Sequence, residues 1–158
     1  MSLRPVALPA DVPGALWLSS MPGRFESWQS FEKQARRVGL SQVVCLTPLA
    51  ELEQLSPAYH NAIATGTLPF RWLHLPMRNF GLPEDAVTFR VEIARIAAGL
   101  RAGESVMLHC AAGLGRTGSA AACVLKALGL RQEQALERVR EAGSNPQNAQ
   151  QSGLVGWF

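Results

Sequence analysis

The 158-residue sequence is short of the features that would place it in several broad classes. Its three cysteines, Cys45, Cys110 and Cys123, cannot make a disulfide framework. An odd count with one apparent nucleophile points to a reducing compartment, with the cytoplasm as the expected location. No run approaches the ~20 apolar residues of a membrane span, and Pro5, Pro9 and Pro13 break up the N-terminal stretch, so neither a membrane segment nor a signal peptide is read there. The net charge of +3 is carried by scattered basic residues, which permits an anionic substrate without marking nucleic acid. Arg36-Arg37 reads as a solvated helix face. No internal repeat or low-complexity tract is present. With 47% hydrophobic residues, one domain over 1–158 has enough apolar side chains for a core, and a monomer is expected.

What is present alternates strand and helix signals. Residues 14–20, around Ala15-Leu16-Trp17-Leu18, read as a strand closed by the turn Met21-Pro22-Gly23, with Arg24 beyond it taken as structural. Ser27 is the expected N-cap of a helix to about Val38, with Trp28, Phe31, Ala35 and Val38 facing the core and Gly39 as its stop. Residues 42–47 are β-branched and apolar and end at Pro48, as a buried parallel strand should. Residues 51–64 are helical with a break at Pro57, and Tyr59 and His60 there carry no catalytic assignment. Residues 70–75 form a strand leading into Pro76. Residues 84–100 are an amphipathic helix with Val87, Val91, Ala94 and Leu100 as its core side. Two helices, 131–140 and about 146–158, close the chain. This order predicts an α/β fold, a mainly parallel central sheet flanked by helices, with an anion site at the C-terminal rim of the strands.

The chemistry concentrates in Val106-Met107-Leu108-His109-Cys110-Ala111-Ala112-Gly113-Leu114-Gly115-Arg116-Thr117-Gly118, which reads as strand, anion-binding loop and helix, the helix over 117–128. Gly113 and Gly115 let the backbone between Cys110 and Arg116 curl until successive N–H groups face one concavity. The helix N-terminus points at the same place, and with Arg116 it favours the thiolate of Cys110 over the thiol. That gives a nucleophile beside a guanidinium able to hold two phosphate oxygens at once. Cys45 reads as a core residue or, since strand ends meet at one rim, as a thiol able to trap Cys110 as a disulfide under oxidation. Cys123 reads as inert.

These residues resemble the H-C-x5-R-[S/T] signature of the cysteine-dependent protein phosphatases. The variant Gly113-Leu114-Gly115-Arg116 is most similar to the dual-specificity branch, near the cyclin-dependent-kinase-associated phosphatases. The resemblance implies a phosphocysteine on Cys110, phosphoryl binding by Arg116 and by the loop Ala111, Ala112, Gly113, Leu114 and Gly115, and a proton from Thr117 that assists the thiolate's departure. It implies no cofactor and no metal. The substrate class is phosphotyrosine, and by extension phosphoserine or phosphothreonine, in a protein or peptide. The uncharged Ala111, Ala112 and Leu114 favour a singly phosphorylated substrate.

The family's general-acid loop is similar to Leu75-Pro76-Met77-Arg78-Asn79-Phe80-Gly81-Leu82-Pro83, where the aspartate position falls on Asn79. An amide can donate a hydrogen bond to a leaving oxygen but has no ionisable proton to transfer near neutral pH. Three explanations stay open: Asp85 or Glu84 serves as acid; the substrate's leaving group needs little help; or the aspartate was exchanged for asparagine to trap substrate, or the protein is a weakly active binder. Residues 144–151 align loosely with the family's glutamine-bearing segment, which would place Gln147 and Gln151 near the hydrolytic water. A polar helix start is the equal alternative. Two rival functions remain, a non-catalytic phosphoresidue-binding module and a sulfur-transfer or arsenate-reducing enzyme using the same thiolate loop.

Overall fold

Five strands and seven helices follow one another along the chain in a computed structural model that describes residues 3–78, 82–146 and 149–158. The strands are β1 (Arg4–Val6), β2 (Ala15–Ser19), β3 (Gln42–Cys45), β4 (Arg71–His74) and β5 (Ser105–His109). They lie in one sheet in the order β1-β2-β5-β3-β4. β2, β5, β3 and β4 are parallel, and only β1 runs antiparallel to its neighbour. No strand was expected before residue 14. β1 escapes period-2 reading because it is short and carries Pro5, which an edge strand tolerates where a central one would lose a ladder hydrogen bond.

β5 is central, so Val106, Met107 and Leu108 are wholly buried. Side chains alternate across it: Val106 and Leu108 join the larger core with Leu16, Leu18 and Val44, while Met107 faces the smaller one with Phe31, Ala35 and Val43. The helices α1 (Trp28–Arg37), α2 (Leu49–Leu55) and α3 (Pro57–Thr65) come from the first half of the chain; α4 (Ala86–Arg101), α5 (Gly115–Ala127), α6 (Gln132–Glu141) and α7 (Ala149–Trp157) come from the second. α1 buries Phe31 and Ala35 behind its Ser27 cap, as its pattern predicts.

The core face of α4 differs from the sequence expectation. Phe89, Ile93, Ile96, Ala97 and Leu100 are buried, while Val87 and Val91 are exposed at 74% and 46% and Ala94 also lies outside. Positions 87 and 89 point about 200° apart around a helix. Bulk decides between the two stripes, because burying each large side chain such as Phe89 or Ile93 contributes about 1.5–3 kcal/mol.

Candidate active site

Cys110 sits one residue past β5, at the C-terminal rim of the sheet, where the backbone turns back through 111–114 into α5. The turn needs glycine at 113 on two grounds. Its φ is +75°, and a Cβ there would lie 2.6 Å from the backbone of Ser19 and Ser20 at the end of β2. The curl brings the Gly113 N–H to 3.2 Å and the Thr117 hydroxyl to 3.0 Å from the Cys110 sulfur. Both donate to the sulfur. α5 begins at Gly115, two residues earlier than the sequence suggested, which puts Arg116 in its first turn. Gly118 lies directly against Asn145, 2.6 Å from where its Cβ would be. The segment after α6 is thereby pressed onto the first turns of α5.

Arg116 is 3% exposed and held by three hydrogen bonds to two partners. Its Nη1 and Nη2 donate to the two carboxylate oxygens of Glu51 on α2, at 2.9 and 3.0 Å, and Nη1 also donates to the Met77 carbonyl at 3.1 Å. Of its five N–H groups, the Nε–H and the second Nη2–H remain. They are adjacent on one edge of the plane, a second fork with no acceptor among the described residues, and Arg116 lines the cavity that holds Cys110. Glu51 carried no assignment from the sequence, since 65 residues separate it from Arg116 and no local pattern links them.

His109, fully buried, lies in a single-file chain of donors. Trp72 Nε1–H donates to the Tyr59 hydroxyl at 2.8 Å, and that hydroxyl lies 2.8 Å from His109 Nε2. His109 Nδ1 faces the Cys110 carbonyl at 3.1 Å. A carbonyl only accepts, so the proton of neutral His109 is on Nδ1 and Nε2 accepts from Tyr59. Burial pushes the imidazole pKa down to about 4, against a smaller opposing effect of the Cys110 carbonyl. His109 is thus a neutral strut under the cysteine.

Several residues singled out from the sequence have partners the sequence did not indicate. Arg24 has a place in the site: its Nη1 donates to the Ala111 carbonyl at 2.9 Å and it lines the cavity with Cys110, Glu51 and Arg116. Asp85 is the N-cap of α4, its oxygens accepting the Thr88 N–H at 3.1 Å and the Thr88 hydroxyl at 2.9 Å. The Thr88 N–H holds its carboxyl below the usual range. Cys45 packs with Met21, Leu52 and Tyr59, on the sheet face that His109 shares, whereas Cys110 belongs to the larger core on the opposite face. Burial pushes the Cys45 thiol up to about 11 and that of Cys123 to about 12, so neither is a ready partner for Cys110. Gln151 is 1% exposed and lines the cavity, as do Ala111, Ala112, Leu114 and Gly115. Asn79 and Gln147 lie outside the described residues. Among those described, no cluster of three His, Cys, Asp or Glu side chains is placed to hold a metal ion, and no helix is long and apolar enough to cross a membrane.

A family profile described as "PTP-SAK: Swiss Army Knife protein, DSP-PTPase phosphatase domain" matches residues 11–152. The chain belongs to that phosphatase family. This phosphatase domain is 29% identical over 106 residues to "Putative tyrosine phosphatase 067L" of Invertebrate iridescent virus 3, a match covering 65% of this chain and 40% of the viral protein. The aligned region therefore spans less than half of that relative's length. Among solved structures it resembles a kinase-associated phosphatase with its catalytic cysteine changed to serine, with a TM-score of 0.81 and 20% identity, covering 97% of this chain and 90% of the other. It also resembles the human tyrosine phosphatase-like serine/threonine/tyrosine-interacting protein, with a TM-score of 0.69 and 20% identity over 98% and 93% of the two chains. Tk-PTP in its active form gives 0.65 and 22% over 94% and 95%. At these identities the phosphatase domain shares the neighbours' fold, a mostly parallel sheet flanked by helices.

Proposed function

We propose that this phosphatase domain hydrolyses phosphate monoesters on protein or peptide side chains, phosphotyrosine first, through a phosphocysteine on Cys110. The observation that carries the reading is the pairing of a doubly hydrogen-bonded Cys110 sulfur with the unused fork of Arg116. The thiolate attacks phosphorus opposite the ester oxygen; the P–S bond forms as the P–O bond breaks, the tyrosine oxygen leaves as phenolate with the bond's electron pair, and it takes its proton from solvent water. Water then attacks the same phosphorus, giving up a proton to solvent as the P–S bond breaks, and Thr117, 3.0 Å from the sulfur, offers its hydroxyl hydrogen as a hydrogen bond to the departing thiolate. Arg116 and the loop N–H groups hold the equatorial oxygens through both steps. Gln151, which lines the cavity, is the residue we assign to hold the hydrolytic water. Neutral phosphate-loop side chains favour a singly phosphorylated group, although Arg24 adds a second cation at the rim.

The N-cap role of Asp85 supports a reaction that runs without strong acid assistance, which restricts it to good leaving groups such as the tyrosine phenolate. Turnover of aryl phosphates of graded leaving-group pKa, with Cys110→Ser as background, tests this. A steep fall with rising leaving-group pKa is the expected result, and a flat profile would require an acid elsewhere. Phosphopeptide binding with no Cys110-dependent turnover would replace the enzyme by a binding module.

A further inference from the structure

Arg4 is a guanidinium on the edge strand β1 that reaches behind the phosphate loop without a carboxylate partner among the described residues. Its Nη2 donates to the Gly113 carbonyl at 2.6 Å; its Nη1 donates to the Ala142 carbonyl at 2.7 Å and to the Ser144 hydroxyl at 3.0 Å. Ser144, 2% exposed, passes its own hydrogen to the same Gly113 carbonyl at 2.5 Å. A hydroxyl has one hydrogen, so accepting from Arg4 and donating to Gly113 fixes the direction of the ring. The slot is shaped for the guanidinium: a Cβ on Gly143, whose φ is +89°, would come within 2.8 Å of Arg4 Nη1.

We propose that Arg4, with Ser144, is a positioning residue for the reaction, locking the Gly113 carbonyl away from the cavity so that the Leu114 N–H faces the substrate's phosphoryl oxygens. The peptide bond is planar and none in the described chain is cis, so turning the Gly113 carbonyl toward Arg4 turns the Leu114 N–H the opposite way. Leu114 and Gly115 line the cavity that holds Cys110. Two donors on one carbonyl, one of them charged, also polarise that amide and strengthen its N–H as a donor. Arg4 is close enough to the sulfur to feel its charge: burial lowers the guanidinium's pKa, and negative Cys110 acts in the opposite sense. A part-buried cation facing only carbonyl and hydroxyl oxygens is costly for folding alone. A thiolate and a phosphate dianion on the far side of the loop supply the missing counter-charge.

The inference rests on the phosphatase reading, and one experiment separates the two. Tungstate affinity by calorimetry, and kcat and KM on p-nitrophenyl phosphate, are measured for the full chain, Arg4→Met, Arg4→Lys, Ser144→Ala and Cys110→Ser. Arg4→Met is expected to bind tungstate at least about tenfold more weakly and to lose kcat in similar proportion, the effect of removing a charge-assisted hydrogen bond. Arg4→Lys should recover part of both, because it returns the charge but not the fork. A merely structural Arg4 would lower thermal stability and leave both readouts at wild-type values, which would overturn the proposal. Should Arg4→Met fail to fold, Ser144→Ala decides: about threefold weaker tungstate binding supports the clamp, and unchanged binding rejects it. Turnover that survives Cys110→Ser would reject the phosphatase reading while the tungstate arm still measured the clamp. Absence of tungstate binding by the wild type would overturn both.

Discussion

Glu51 grips Arg116 end-on, carboxylate against guanidinium, with both oxygens engaged at 2.9 and 3.0 Å. The pair neutralises the cation as it orients it, so the phosphate site owes less to net charge than to where the remaining N–H groups point. Glu51→Ala would leave the buried Arg116 guanidinium without its carboxylate partner, held only by the Met77 carbonyl. A stability loss of about 2 kcal/mol is expected, together with a fall in kcat/KM of about 10- to 100-fold as the free fork drifts. Glu51→Gln should recover part of the rate. Denaturant titration and steady-state kinetics check both, and unchanged kinetics in Glu51→Ala would remove the orienting role.

Asp85 tests the cap against the acid. Asp85→Asn keeps an oxygen for the Thr88 N–H and is expected to leave kcat within about twofold, since asparagine caps a helix about as well as aspartate. Asp85→Ala should lower the melting temperature while sparing kcat. A collapse of kcat in Asp85→Asn with the fold intact would restore the carboxyl to catalysis.

His109 makes the fold sensitive to mild acid. Its pKa is about 4 in the folded chain against an ordinary 6.5, so below pH 6.5 the unfolded chain takes up a proton that the folded chain refuses. Its contribution is whole above pH 6.5 and declines as pH falls from 6.5 toward about 4, by up to about 3 kcal/mol. Denaturant titrations at pH 7, 5.5 and 4.5 should show that slope. A His109→Gln variant, less stable at pH 7, should lose less over the same range; parallel curves would contradict the assignment.

Gly113→Ala places a methyl group against the β2 backbone at a positive φ. The loop must move, and with it the Gly113 N–H that donates to Cys110. Loss of nearly all turnover and of tungstate binding is expected, alongside folding measured by circular dichroism. A variant with wild-type turnover would show that the curl is not required.

The sequence determined what is local. The apolar run before Cys110, the loop glycines and the helix after them indicate a strand, an anion nest and a helix N-terminus within about a dozen residues, so Cys110 and Arg116 could be named with their chemistry, while the role of Thr117 came from the resemblance to the phosphatase signature. The alternation of strand and helix likewise determined the parallel sheet. Tertiary structure decided everything that reaches the site from afar. Glu51, Arg4, Arg24 and Tyr59 arrive across separations of 50 to 109 residues, and no spacing within one element encodes such a meeting. The α4 stripe and the Cys45 face belong to the same class: periodicity offers two candidate faces or one rim, and only packing against neighbours selects between them. Asp85 shows the converse, a carboxylate near the right place in the chain whose hydrogen bonds to Thr88 claim it for the helix end.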